Sequence, residues 1–281
     1  TGTLSFAVPG SNTYSIGRLY GARNLDLGSN SLSIGGNTAA GYYSGVLSGS
    51  GSLTKTGSGS ATLAGANTFT GTTRVVAGAL VLESTGALSG STLDLNGADS
   101  GTVSLGVAGT NTYELGGLQG SRNLALGANS LSVGGNGGST TYSGVLSGAG
   151  GLTKTGAGTL TLGGVQSFQG ATAVQAGTLS LSGTISNSAV TVDSGATLAG
   201  SGFLGSTLSV FGTLAPGNSP GRIEASTLTL QTTATTVMEV VSAGTAGVDY
   251  DTVVIDATGG LTYGGALSIV FSSSSPLANG T

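Results

Sequence analysis

The chain has 281 residues, a net charge of −4 and charged side chains at only 6% of positions, so it is long enough to bury a large core but lacks a cationic surface. Its seven basic residues are scattered, which argues against nucleic acid and anionic membranes as partners, and no apolar run predicts a membrane-spanning helix. Cys and His are absent, which excludes disulfides, thiolate metal sites and a serine–histidine–aspartate triad within this chain.

An internal repeat dominates the first two thirds of the chain. Residues 1–84 and 100–183 align at a constant offset of 99 without a gap. The segment Y-S-G-V-L-S-G, for example, begins at Tyr43 and again at Tyr142. A gap-free repeat of this length predicts that both copies make the same succession of strands and turns.

Within each copy the apolar residues form short pairs separated by one polar residue, as at Leu25 and Leu27 or Leu80 and Leu82. Alternation with a period of two predicts β-strands, and no stretch has the spacing of an amphipathic helix. Gly, Asn and Ser separate the pairs, and these residues tolerate the positive φ angles of tight turns. The sequence therefore predicts an all-β fold, either a parallel solenoid or an antiparallel sandwich.

The composition of the interior favours the solenoid. Aromatic residues make up only 5% and Trp is absent, so Leu, Val, Ile and Ala must fill a narrow core. Recurring residues such as Asn12 and Asn30, repeated as Asn111 and Asn129, can form hydrogen bonds along such a coil. We predict a right-handed parallel β-helix with roughly three short strands per rung and about four or five rungs of roughly 20–25 residues per repeat. At about 4.8 Å per rung, the rod would be on the order of 60 Å long.

The residues from Thr184 onwards leave the repeat but keep its alternation of strands and turns. Pro216 and Pro220 are predicted to lie in a turn outside the strand ladder, because proline lacks an amide donor. Longer and bulkier apolar runs follow, such as G-G-A-L-S-I-V-F at Gly264. These runs predict that the C-terminal end is the better-packed end of the rod.

The chain is expected to form one continuous solenoid in three portions. These are a first repeat unit at residues 1–99, a second at residues 100–198 and a C-terminal portion of the β-helix at residues 199–281. The first residue is not Met, the start lacks the features of a signal peptide, and the last residues show no visible cap. We therefore expect the sequence to be a piece of a longer protein.

Carboxylates are the candidate catalytic residues of this chain, since glycoside hydrolysis needs two of them facing each other. Asp94 lies close in sequence to Asp99, and Asp249 to Asp251. Alternation predicts that Asp94 points outward between two leucines, and the D-Y-D stretch is predicted to cap a turn rather than to bind calcium. We therefore predict no catalytic, cofactor-binding or metal-binding residue in this chain.

Two repeated side chains invite a binding role but have simpler interpretations. Lys55 and Lys154 occupy equivalent places in T-K-T, and we interpret them as outward charges beside outward threonines. Tyr42 and Tyr43 together would make a small adhesive patch, but only Tyr43 recurs, as Tyr142. Packing of one aromatic ring over a turn is the favoured interpretation.

Paired threonines recur along the sequence. Thr-x-Thr pairs begin at Thr54, Thr153, Thr159 and Thr227 and resemble the flat ladders of ice-binding proteins. Their spacing does not place a pair on every rung. The sequence therefore does not favour ice binding.

Two motifs resemble a known family. The segment L-T-K-T-G-A-G-T-L-T-L-G-G at Leu152, which ends in V-Q-A-G-T-L-S-L and has a counterpart at Leu53, resembles the passenger-associated transport repeat of autotransporter proteins. The sequence L-A-P-G-N-S-P-G at Leu214, followed by V-D-Y-D-T-V-V-I, is similar to the C-terminal part of an autotransporter passenger. The resemblance implies a right-handed β-helix exported across the outer membrane of a Gram-negative bacterium to the cell surface or the extracellular space. The lack of Cys agrees, because a disulfide would hinder threading through a narrow pore.

The leading hypothesis for function is a structural stalk whose repeats support export and folding and whose surface is adhesive or self-associating. The implied partners are its own outer-membrane translocator β-barrel, which is not in this chain, and a host cell, a neighbouring cell or further copies of itself. No nucleic acid, small-molecule substrate or cofactor is implied. Two alternatives remain open: a carbohydrate-active β-helix enzyme of glycosidase or lyase type, and a passive scaffold for an N-terminal functional domain. Paired carboxylates within about 10 Å in a groove would favour the enzyme.

Overall fold

The computed structural model describes residues 2–6, 10–217, 220–242, 244–256 and 259–271. Within these ranges the chain forms 32 strands, and no described segment is a helix long and apolar enough to cross a membrane. In chain order the strands are β1 (Leu4–Ser5), β2 (Thr13–Ile16), β3 (Leu25–Asp26), β4 (Ser31–Ile34), β5 (Gly41–Tyr43), β6 (Leu47–Ser48), β7 (Leu53–Lys55), β8 (Ser60–Leu63), β9 (Thr73–Val75), β10 (Ala79–Leu82), β11 (Leu88–Leu95), β12 (Thr102–Leu105), β13 (Thr112–Gly120), β14 (Leu124–Gly127), β15 (Ser130–Val133), β16 (Thr140–Tyr142), β17 (Leu146–Gly148), β18 (Leu152–Lys154), β19 (Thr159–Leu162), β20 (Val165–Phe168), β21 (Thr172–Val174), β22 (Thr178–Leu181), β23 (Thr184–Ile185), β24 (Val190–Val192), β25 (Thr197–Gly200), β26 (Phe203–Val210), β27 (Thr213–Pro216), β28 (Arg222–Leu230), β29 (Thr235–Val240), β30 (Thr252–Ile255), β31 (Leu261–Thr262) and β32 (Ala266–Phe271).

The strands wind into a parallel β-solenoid of about 11 turns, which confirms the predicted all-β parallel coil. Each turn contributes to three sheets. In the first turns these are the first face (β2, β4, β7 and β9), the second face (β5, β8, β10 and β12) and the third face (β1, β3 and β6). Paired residues on successive turns of the first face are 18 apart at Tyr14 and Leu32 and 21 apart at Leu32 and Leu53, close to the predicted rung length.

Stacked leucines fill the core. Leu160, Leu179, Leu198 and Leu214 pair in register on four successive turns, and none is more than 1% exposed. Burying each leucine side chain is worth about 1.5–3 kcal/mol relative to leaving it in water. The residues between them on each strand point outward and are polar or small. Alternation with a period of two therefore sets which side chains form the core.

Asparagines link successive turns at equivalent points of the two copies. The side-chain oxygen of Asn30 accepts a hydrogen bond from the backbone amide of Asn12 at 3.0 Å, and Asn129 and Asn111 repeat the contact at 3.0 Å. The next turn packs tightly here, since a Cβ added to Gly150 would lie 1.7 Å from the carbonyl oxygen of Asn129. The predicted hydrogen bonds between asparagines along the coil are confirmed at these two steps.

The two copies of the repeat lie on different faces of the rod. From Leu32 on β4, the first face continues through β7, β9 and β11 to Leu118 on β13, four turns later. The chain then makes β14 and places Leu131, the equivalent of Leu32, on β15, while the first face continues from β13 to β16. The 99 residues from Leu32 to Leu131 thus make four complete turns and then pass two further faces of the next turn. Equivalent residues of the two copies therefore do not stack on one another, and the division at residues 99 and 198 stays a proposal.

The prediction that the C-terminal end is better packed is wrong for the residues that the structure describes. All six residues of β32 are exposed, including Leu267 at 52%, Ile269 at 52% and Phe271 at 61%. The strand pairs with β29 on one side. No described strand stacks on its other side, so its bulky side chains lack the neighbouring rung that would bury them.

The proline turn is also only partly as predicted. Pro216 is the last residue of β27, so it belongs to the strand rather than to a turn outside the ladder. It is tolerated because the register of β27 with β25 ends one residue earlier, at Ala215, and no ladder hydrogen bond needs its missing amide. Pro220 lies in a bend, and the two residues before it are outside the described ranges.

Candidate functional site

Two lysines lie inside the solenoid, each only 1% exposed. The Nζ of Lys154 donates to the carbonyl oxygens of Thr155 at 2.6 Å, Gly156 at 2.8 Å and Ala176 at 3.0 Å. Lys55 makes the equivalent three contacts in the first copy. The prediction that these lysines point outward is therefore wrong.

Strict alternation explains the buried position. In L-T-K the leucine and the lysine are two residues apart, so Leu152 and Lys154 both point inward while Thr153 points outward. A buried ammonium group must be compensated, and here three carbonyl dipoles use all three of its donors. Burial lowers the pKa of Lys154 and of Lys55, since desolvation disfavours the charged form.

Each lysine is a clamp between turns rather than a reactive group. Ala176, which accepts the third hydrogen bond of Lys154, lies 22 residues further along the chain and on the next turn. The other two acceptors, Thr155 and Gly156, are the two residues that directly follow the lysine, in the corner after its strand. The ammonium group therefore joins two successive glycine-rich corners from inside the coil.

The recurring tyrosines are also buried. Tyr43 is 4% exposed and Tyr142 is fully buried, and their hydroxyls donate to the backbone carbonyls of Arg23 and Arg122 on the preceding turn. Burial raises the pKa of Tyr142. Tyr42, in contrast, is 46% exposed, so Tyr42 and Tyr43 do not together form an adhesive patch.

The two aspartates of the D-Y-D stretch accept hydrogen bonds from backbone amides. Asp251 accepts hydrogen bonds from the backbone amides of Gly221 and Glu239, both at 2.7 Å. Asp249 accepts one from the backbone amide of Thr245 at 2.7 Å. Among the described residues no three carboxylates converge as a candidate metal site.

The carboxylates of Asp94 and Asp99 have separate roles. Asp99 forms a bidentate ion pair with Arg74, with Nε–Oδ2 at 2.8 Å and Nη2–Oδ1 at 2.9 Å. The hydrogen bonds from Arg74 hold the pKa of Asp99 below its ordinary value, so the stability that the pair contributes is lost as the pH falls through that lowered pKa. Asp94 points outward between two buried leucines, as predicted.

Asp94 lines an open polar concavity of about 830 Å³ on the first face. The concavity crosses β11, β13, β16 and β19, which are four successive turns. Its lining is made of hydroxyl, amide and glycine residues, and Asp94 is the single carboxylate among the described residues that line it. The paired carboxylates required by the enzyme alternative are therefore not found in this concavity.

Arginines fix one wall of this concavity. Arg122 donates from Nε to the carbonyl oxygen of Asn96 and from Nη2 to that of Val75, both at 2.9 Å. Together with the Arg74–Asp99 pair, these bonds hold the turn at residues 96–99 against the rod. Both guanidinium groups are therefore part of the wall, and the side chain of Arg74 is 42% exposed. Sequence reasoning missed this site because its residues come from separate turns.

A threonine column begins in the lining of the concavity, at Thr159, and continues along the outside of the same face. Five residues in register on successive turns form it: Thr159, Thr178, Thr197, Thr213 and Thr235. The column beside it changes from threonine and serine to Ala199 and Ala215. The prediction that Thr-x-Thr pairs are not on every rung is confirmed, and the paired array ends after a single complete pair on this face.

Comparison with known proteins gives two matches. The family model described as Passenger-associated-transport-repeat matches residues 53–82 and 152–181. The Adhesin BmaC autotransporter of Brucella suis biovar 1 (strain 1330) is 31% identical over 169 residues, which is 59% of this chain and 5% of that protein. The chain thus aligns with only a small part of that relative's length.

The matched segments have a defined place in the fold. Each begins on the strand that carries a buried lysine, β7 or β18, and ends with a strand of the following turn, β10 or β22. Each therefore contains one complete lysine clamp and the corner on the next turn that the lysine contacts. Together with the parallel solenoid, the two repeats and the similarity to part of an autotransporter adhesin support an autotransporter passenger segment located at the cell surface or in the extracellular space.

Proposed function

We propose that the chain is a non-enzymatic stalk segment of an adhesin passenger, whose repeats support folding during export and whose surface contacts other cells or further copies of itself. The observation that carries the proposal is a continuous coil with lysine clamps inside and mainly small polar side chains outside. The relative named above is an adhesin, which supports the adhesive part of the proposal. The expected partner in export is the translocator β-barrel of the same precursor, outside this chain.

The clamps suit a chain that folds progressively. Turns of a solenoid contact only their neighbours, so folding can start at one end and propagate. Lys154 completes its hydrogen bonds only when the corner at Ala176 has been added, 22 residues later. At this step, and at the equivalent step of Lys55, the pairing of two neighbouring turns therefore satisfies a buried charge, which favours continued growth of the coil at these two points.

Beads coated with the chain test the adhesive part. We expect them to attach several-fold more to cultured cells, or to one another, than beads coated at equal density with the heat-unfolded chain. Attachment is counted by microscopy after washing. If folded and unfolded coatings gave equal counts in both assays, adhesion would be rejected and a passive scaffold would be favoured.

Deletion of residues 33–131 tests the modular stalk. Leu32 would then be followed by Ser132, which has the same neighbours in the second copy, so we expect the shortened chain to keep its β-structure and its secretion from the full precursor. Circular dichroism and the amount of passenger at the cell surface are the measurements.

The control is the deletion of residues 33–130, which removes one residue fewer and joins Leu32 directly to Leu131. The extra residue shifts the alternation by one position, so side chains of this strand that point inward would point outward. This chain should misfold and accumulate inside the cell. Equal secretion of the two deleted forms would contradict the modular repeat.

A further inference from the structure

The two copies of the repeat differ at two outward positions that line the concavity in the second copy. In the first copy, Tyr20 and Tyr42 stand on neighbouring turns, 69% and 46% exposed, and the guanidinium of Arg18 lies 5.3 Å from the ring centre of Tyr20. The equivalent positions of the second copy hold Gln119 and Thr141. The same backbone is therefore covered by large side chains in one copy and left open in the other.

The open surface presents one polar side chain per turn. Asp94, Gln119, Thr141 and Thr161 form a column along the rod axis, in register from β11 to β19. Successive members are about 4.8 Å apart along the axis. None of the four side chains has a hydrogen-bond partner within the described part of the chain, so their donors and acceptors are free for a ligand.

The chemistry of this column selects a ligand class. Amide and hydroxyl groups both donate and accept hydrogen bonds, whereas the carboxylate only accepts. Anionic ligands would have to bind Arg74, whose side chain is 42% exposed, but its guanidinium is already paired with Asp99 and stands beside Asp94, which repels anions. Arg122 is bonded to two backbone carbonyls. Protein partners are usually anchored by aromatic residues in desolvated pockets, and no aromatic side chain is among the described lining residues.

A linear carbohydrate has the complementary properties, since its hydroxyls donate and accept and recur along the chain. We infer that this concavity binds a neutral oligosaccharide laid along the rod axis, an inference that gives the proposed adhesive function its ligand. The single carboxylate, Asp94, orients a hydroxyl by accepting its hydrogen bond. Hydrolysis would need a second carboxylate facing it.

The test fills the concavity with residues that the fold already accepts. The double variant Gln119→Tyr/Thr141→Tyr copies the side chains of the first repeat, so it should keep the melting temperature of the parent chain. The probe is an array of immobilised neutral, sialylated and sulfated glycans. We expect the parent chain to bind neutral glycans and the double variant to bind them at least about tenfold more weakly, a change of about 1.4 kcal/mol.

Two further variants separate the site from general effects. Asp94→Ala removes an outward acceptor without adding bulk and should also weaken binding. The reverse double variant, Tyr20→Gln/Tyr42→Thr, removes the aromatic pair of the first copy and should leave glycan binding unchanged. Loss of binding in this variant would place the site on the tyrosines and overturn the inference.

Other outcomes overturn the inference as clearly. These are binding of no glycan, binding confined to sialylated or sulfated glycans, or equal binding by the parent chain and the filled variant. Attachment of coated beads that survives enzymatic removal of cell-surface glycans but is lost in the filled variant would indicate a protein partner instead. If the parent beads attach and the filled variant attaches equally, the site is wrong but the adhesive function stands. If the parent beads attach to nothing, the proposed function itself fails.

Discussion

Lys154→Ala is expected to lower the free energy of unfolding by about 3 kcal/mol, a large effect for a charged residue beside an outward threonine. The substitution removes three hydrogen bonds from Nζ and leaves the carbonyl oxygens of Thr155, Gly156 and Ala176 without that donor in the interior. It also leaves a cavity where the side chain of a residue only 1% exposed had been. Urea denaturation followed by circular dichroism would show the loss as a lower midpoint.

Two companion variants separate the hydrogen bonds from the packing. Lys154→Met restores most of the volume but none of the donors, so its midpoint should lie between those of Lys154→Ala and the parent chain. Thr153→Ala changes the outward neighbour and should alter stability by less than about 0.5 kcal/mol. An unchanged midpoint in Lys154→Ala would mean that the clamp contributes nothing to stability.

The parallel coil is predicted correctly from the sequence, whereas the outward position predicted for Lys154 is wrong. Alternation, short strands and recurring Gly and Asn were sufficient to predict a parallel coil. The same alternation also places Leu152 and Lys154 on one side of their strand. A charged side chain is expected at the surface unless its burial is compensated, and here the compensating groups are backbone carbonyls, which any residue carries. A sequence has no signature for such acceptors.

The sequence did not predict that the two copies lie on different faces of the rod, for a different reason. The offset of 99 gives the length of a repeat but not the length of each turn. Turns of the first face take 18 residues from Tyr14 to Leu32, 20 from Leu53 to Thr73 and 25 from Leu93 to Leu118. Loops at the corners absorb these differences without changing the core. Only the strand register therefore fixes on which face a repeated residue lies.

The concavity illustrates the limit for surface sites in a solenoid. Its lining comes from turns separated by 20 or more residues, and each small polar side chain taken alone is indistinguishable from a solvated one. The usable signal was the pair of differences at Tyr20 and Gln119 and at Tyr42 and Thr141. Such differences can be recognised only because the two copies otherwise match. They show where a large side chain is replaced by a smaller one, but not which residues of other turns lie next to that position.

The second large effect is expected for Leu152→Asp, which should lower the free energy of unfolding by more than about 4 kcal/mol. Leu152 is fully buried and stacks between Leu131 and Thr172 on the adjacent turns. A carboxylate there would be desolvated. Lys154 lies on the same inner side but would not compensate it, because all three donors of its ammonium group already bind carbonyl oxygens. We expect loss of cooperative unfolding in thermal melts.

Thr153→Asp is the matched control, since it adds the same charge one residue away on the outward side. Its carboxylate stays in water, so its melting temperature should remain within a few degrees of the parent chain, which corresponds to about 0.5 kcal/mol or less. Because the two variants differ only by one position in a strand with a period of two, their difference measures the inward–outward assignment directly. A stable Leu152→Asp together with an unfolded Thr153→Asp would reverse that assignment, and it would also move Lys154 back to the surface.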